Sequence, residues 1–193
     1  MATAGFNMKG NAWRGIKEYL TREIGLERVM ERLAPATRTF FEQIFIASIW
    51  YDVRPVTEVT QVAAQLTGQQ HTALCRSVGT FIYERDMTGI YRAILKFATP
   101  DLMVKALPLA TTRYFDFVKL ETTRVGPKAY DVLIMGVPAD TAATYTNVTS
   151  VFIERAISGS GGKNVSAQCL APTPGPGING TPTSLIVRQL RWE

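Results

Sequence analysis

Phe117-Val118-Lys119-Leu120-Glu121-Thr122-Thr123-Arg124-Val125-Gly126-Pro127-Lys128-Ala129-Tyr130-Asp131-Val132-Leu133-Ile134 is the stretch on which the fold turns. Val118, Leu120 and Thr122 alternate with Lys119 and Glu121, and beyond Gly126-Pro127 the residues Tyr130, Val132 and Ile134 alternate with Asp131 and Leu133. Side chains on a strand point alternately to its two faces, so two such runs about a turn predict an antiparallel hairpin with one face in the core.

Upstream the apolar period is helical. Trp13, Ile16, Tyr19 and Leu20 share one face, Leu26, Val29, Met30 and Leu33 a second, and Phe40, Phe41, Ile44 and Phe45 a third. Residues 46–51 read as extended or turned before Pro55 opens a helix on Val59, Val62, Ala63 and Leu66 that Gly68 closes. Leu74, Val78, Phe81 and Ile82 mark a further, central helix, with Gly79 small enough for a neighbouring backbone to pack against it. Ile90 to Phe97 and Leu102 to Leu107 predict two more, the second opened by Thr99-Pro100-Asp101 and kinked or ended by Pro108.

Downstream of the hairpin, residues 140–157 predict a helix on Ala142, Tyr145, Thr149, Phe152 and Ile153, stopped by the glycine-rich run 158–162. Two last strands, about residues 164–170 and 184–192, flank a loop of Pro, Gly and Thr. Helices and antiparallel strands thus segregate along the chain. That order predicts an α+β fold, an N-terminal helical layer packed on a small antiparallel sheet of about four strands. Residues 1–193 are expected to form a single domain, with 1–10 an N-terminal arm and 171–183 a Pro/Gly-rich hairpin loop.

With 46% hydrophobic and 19% charged residues, the chain has the apolar content of a folded domain. The net charge of +5 comes from Lys and Arg scattered among Glu and Asp, without the basic stripe of a nucleic-acid binder. Cys75 and Cys169 make no disulfide framework, no secretory signal opens the chain, and no run is long enough to span a bilayer. A cytoplasmic location is therefore expected.

Few residues offer chemistry. His71 and Cys75 stand four apart on a predicted helix, so both face one point, but a structural zinc takes four ligands and the chain has no second histidine. The same pair could serve as base and nucleophile, His71 being the only imidazole in the chain, and core packing is the commoner role of such a pair. Gly159-Ser160-Gly161-Gly162-Lys163 looks like a phosphate cradle, yet it closes a helix instead of opening one and is followed by Asn164. Glu84-Arg85-Asp86 with Arg92 could hold a general acid or an anion, but solvated charges at a helix junction are commoner, with Asp86 as a cap and an arginine anchoring carbonyls of the adjoining segment.

The run 83–92, with Tyr114-Phe115-Asp116 and Gly136-Val137-Pro138, resembles a paralogous family of myxobacterial proteins of about this length and uncharacterised function. Met8-Lys9-Gly10, Trp50-Tyr51 and Arg191-Trp192 are similar to it as well. That family is in turn similar in layout to the group that includes the 4-vinyl reductase domain, the transport protein particle subunits and the haem nitric-oxide-binding domain. The resemblance implies a helical layer, a small antiparallel sheet, a hydrophobic pocket between them and frequently a homodimer. Two departures stand out. Zinc-bearing 4-vinyl reductase domains place cysteines around the last hairpin, where only Cys169 is present, and haem-binding relatives use a proximal histidine with a Tyr-x-Ser-x-Arg triad that none of the seven tyrosines begins. His71 is not expected to ligate haem.

The leading expectation is a non-enzymatic sensory or scaffold module, dimeric, holding an apolar small molecule between helices and sheet without a metal or other cofactor. Trp50, Tyr51, Phe81, Tyr91 and Phe115 are its candidate pocket residues. The alternatives are a structural protein that self-assembles through a sheet edge or the Pro/Gly loop, and an enzyme using His71 and Cys75.

Overall fold

The computed structural model describes residues 5–87 and 97–193. The helical part opens with β1 (Asn7–Lys9) and continues through α1 (Gly10–Glu23), α2 (Leu26–Met30), α3 (Pro35–Glu42), β2 (Trp50–Asp52), α4 (Pro55–Thr67) and α5 (His71–Asp86). After α6 (Pro100–Thr112) come β3 (Lys119–Gly126), β4 (Ala129–Pro138), α7 (Ala142–Gly159), β5 (Ser166–Cys169), β6 (Thr173–Pro174) and β7 (Thr183–Arg191). The fold is α+β, helices on an antiparallel sheet.

Local chemistry sets most of these boundaries. Pro35, Pro55 and Pro100 each stand in the first turn of their helix, where the missing N–H is no loss. Thr99 caps α6 by accepting from the Leu102 amide, and Gly68 ends α4 at a φ of 66°. Pro108 does not end α6, which runs on to Thr112. A proline removes only one bond of the ladder, and here the helix continues past it.

The helical layer is built around Trp13, which is fully buried, stacks on Phe45 and meets Phe40 and Phe41 edge-on. Fully burying a side chain such as Leu20, Val29 or Val59 stabilises the fold by about 1.5–3 kcal/mol. Asn7–Lys9, within the expected N-terminal arm, pairs with Trp50–Asp52 as a separate two-stranded sheet.

The main sheet has five strands where about four were expected. Its order is β3-β4-β7-β5, and β6, inside the predicted loop, pairs with β7 as well. The β3-β4 hairpin turns at Pro127-Lys128, with Gly126 opposite Ala129 and Lys128 at a φ of 54°. β7 lies in the middle, Ile186 opposite Ile134, Arg188 opposite both Val132 and Cys169, Leu190 opposite Tyr130. One face of the sheet is covered by α7, whose Ala142, Tyr145, Ile153 and Ile157 join Val132, Ile134, Ile186 and Leu190 in a second apolar cluster. Phe115 and Phe117 pack against both clusters. The helix expected over residues 90–97, and with it Tyr91, lies outside the described residues apart from Phe97.

Candidate functional site

Between the two apolar clusters lies a cavity of about 130 Å³, walled by α1, α5, α6, α7 and the sheet. Small side chains leave the room: Ala12, Gly79 and Ala110 all face it. Gly79 also lets α5 and α7 touch, since a β-carbon there would lie 2.4 Å from the Val148 carbonyl oxygen. Aromatic rings form one wall, with Phe115 edge-on to Phe117 at 5.6 Å and to Tyr145 at 5.2 Å. Such geometry fixes the rings by quadrupole attraction as well as by burial.

The surface is almost wholly apolar, although several of the residues behind it carry polar groups. Thr141, Thr144, Tyr145 and Thr149 of α7 and the preceding turn line the cavity together with Arg188 of β7. Arg188 is 1% exposed, which for a guanidinium is exceptional. Its Nε donates to Cys169 Sγ at 3.3 Å, and its Nη2 donates to Thr149 Oγ1 at 2.7 Å and to the Thr146 carbonyl at 3.2 Å. Burial pushes the Tyr145 phenol up to about 12, although the nearby Arg188 charge acts the other way. The phenol therefore stays protonated, a donor.

Of the residues proposed from sequence, Phe115 lines the cavity. Trp50, Tyr51 and Phe81 are not among the described residues that do. Trp50 lies under the Lys9 ammonium, Tyr51 packs edge-on against Phe45 and accepts from the Ile46 amide, and Phe81 meets Tyr19 with Arg22 over its face. Arg188 was not singled out. Its signal was nevertheless present, because period two along Ser184, Ile186, Arg188 and Leu190 puts the arginine in the buried phase of its strand.

His71 and Cys75 do come together, at 3.3 Å from Nε2 to Sγ, with Nε2 also 2.9 Å from Thr60 Oγ1. Burial holds the histidine below its usual pKa and pushes the Cys75 thiol up to about 11. Both groups are thus neutral near pH 7, and a neutral, fully buried thiol is a poor nucleophile. Among the described residues no three His, Cys, Asp or Glu side chains converge as a metal site. Nor is any described helix long and apolar enough to cross a membrane. Lys163 exchanges backbone hydrogen bonds with Glu193, and Gly162 donates to the Ile157 carbonyl, so the glycine-rich turn serves to end α7. Arg85 donates to the Asn11 carbonyl, anchoring α1 to α5. Asp86 accepts from Asn11 and pairs with Arg85.

No family model matches the chain, and no curated protein matches it either, so the myxobacterial likeness gains no support from them. Solved structures do match, among them several H-NOX domains of the haem nitric-oxide-binding group. A mutant of the Cs H-NOX protein aligns over 96% of this chain and 97% of its own, at 14% identity and a TM-score of 0.68. The Fe(II) unliganded H-NOX protein from K. algicida aligns over 96% and 97%, at 11% identity and 0.63. An oxygen-binding H-NOX domain related to soluble guanylate cyclases, solved as its oxygen complex, aligns over 96% and 95%, at 13% identity and 0.63. The fold of this chain is that of the H-NOX domains.

The residues present do not fit haem. The sole histidine is bonded to Thr60 and is absent from the described wall of the cavity. Pockets for drug-sized ligands run to about 300–1,000 Å³, and a porphyrin needs at least that, whereas this cavity has about 130 Å³.

Proposed function

We propose that this chain is a non-enzymatic sensory module that receives a compact, largely apolar molecule in the cavity between its helices and its sheet, and that it works without haem. The cavity carries this reading. Apolar cavities of about 150 Å³ take benzene or xenon, so a guest of that size suits a space of about 130 Å³ with an aromatic wall. Several neighbours of the same fold are named for haem or for an oxygen complex, which supports small-molecule binding as the use of the fold. Phe115 is the aromatic contact assigned to the guest. Trp50, Tyr51 and Phe81, packed elsewhere, are given structural roles.

Denaturing mass spectrometry of organic extracts, with calorimetric titration of toluene into the purified chain, tests the reading. A retained small molecule or saturable toluene binding supports it; clean extracts together with no heat of binding overturn it.

We further propose that the chain acts as a single-domain homodimer in the cytoplasm. Ile44, Ile46 and Ile49 are 87%, 57% and 48% exposed within one short segment, a concentration of bare aliphatic surface that suits a shared face. Light scattering should give twice the chain mass, falling to one chain mass in the variant carrying both Ile44→Asp and Ile46→Asp.

A further inference from the structure

The cavity has one charged group among its described lining residues, and that group lacks a counter-ion. Arg188 takes part in none of the ion pairs among the described residues. Residues 1–4 and 88–96 cannot supply one, because they contain no Asp or Glu. Three of its N–H groups are engaged, by Cys169, Thr146 and Thr149, while Nη1 makes no hydrogen bond among the described residues and is not among the polar atoms sealed off without a partner, so it is reachable. A buried lysine or histidine can shed its proton, but a guanidinium holds its charge at every pH a folded protein survives. Burying a guanidinium against neutral acceptors alone costs more than burying it against an anion, so an anion at the reachable Nη1 would be favoured.

We propose that the guest of this cavity is an anion, a carboxylate on a compact apolar body, whose charged end meets Nη1 of Arg188. The proposal rests on reading the cavity as a binding site. Its wall is apolar, with the rings of Phe115, Phe117 and Tyr145, and Arg188 is the charged residue that lines it. Thr149 holds the guanidinium from one side, accepting from Nη2 while its own proton goes to the Tyr145 carbonyl. A guanidinium so fixed presents its remaining donors without further ordering, which favours a planar carboxylate over a point anion.

Calorimetric titration of the full chain with benzoate, its neutral isostere benzamide, and toluene separates the possibilities. Benzoate is expected to bind about ten- to a hundredfold tighter than benzamide, the range of one charged hydrogen bond. Arg188→Met should bring the two within about twofold while toluene binding persists, and Arg188→Lys, which keeps the charge but loses the planar fork, should retain part of the preference. Equal binding of benzoate and benzamide, with toluene still bound, overturns the anion and leaves the cavity reading intact. If none of the three binds, the anion falls, and with clean organic extracts the cavity reading falls as well.

Discussion

Gly79 of α5 and Val148 of α7 meet backbone to backbone, so closely that a β-carbon on Gly79 would lie 2.4 Å from the Val148 carbonyl oxygen. Both residues line the cavity, so this contact fixes how near the two helices stand and how much space remains beside them. Gly79→Ala is expected to destabilise the protein by about 1–3 kcal/mol, since the obstacle is backbone and has no rotamer to yield. Urea unfolding reads the effect, and an unchanged midpoint would show that the helices part freely.

Arg188→Met should act in the opposite direction. The wild-type guanidinium is buried without a carboxylate, and replacing such a charge with an apolar side chain of similar length is expected to raise stability by about 1–3 kcal/mol in ligand-free protein. Thermal unfolding is the measurement. A fall of that size instead would mean that the bonds to Thr146, Thr149 and Cys169 outweigh the desolvation they accompany.

Acid should weaken the fold through His71. Burial holds its pKa below the ordinary 6.5, so between the two values the unfolded chain binds a proton that the folded chain refuses. Stability is then full above about pH 6.5 and declines as pH falls below it. Asp52, beside Arg54, is held below its ordinary 3.8, so its contribution is lost only in stronger acid and does not overlap this window. Urea midpoints at about pH 7.5 and 5.5 should differ in the wild type and converge in His71→Gln.

The two thiols should separate by reactivity. Cys75 is fully buried with its pKa pushed up to about 11, whereas Cys169 is partly exposed. Brief alkylation of native protein should modify Cys169 alone, with Cys75 following on denaturation; peptide mass spectrometry assigns the label. Equal labelling of both in the native state would contradict the packing around Thr60.

Much of this fold was legible because its signals are local. The period-two runs about Gly126-Pro127 gave the hairpin and its inward residues, Thr99 gave a cap, and Gly79 announced a close approach. Strand order was not legible: that β7 inserts between β4 and β5, and that Asn7–Lys9 finds Trp50–Asp52, are pairings across long loops that no periodicity encodes. The cavity was harder still. Trp50, Tyr51 and Phe81 were sought for their aromatic surface, but what makes a hollow is the absence of side chain, at Ala12, Gly79 and Ala110, and three-dimensional proximity decides which rings face it. The buried arginine of β7 is legible from alternation, but a guanidinium has none of the acid–base or nucleophilic character near neutral pH that marks a reactive residue in a sequence.

In chain order, β7 follows every strand it joins, yet it occupies the interior of the sheet. During synthesis the helices and the β3-β4 ribbon emerge while one border of β4 still awaits its neighbour. Assembly must therefore wait for the last of these strands to leave the ribosome, and until then that open border can recruit a foreign strand. Arg188 arrives on that same strand, so the wall of the cavity is complete only once the sheet has closed.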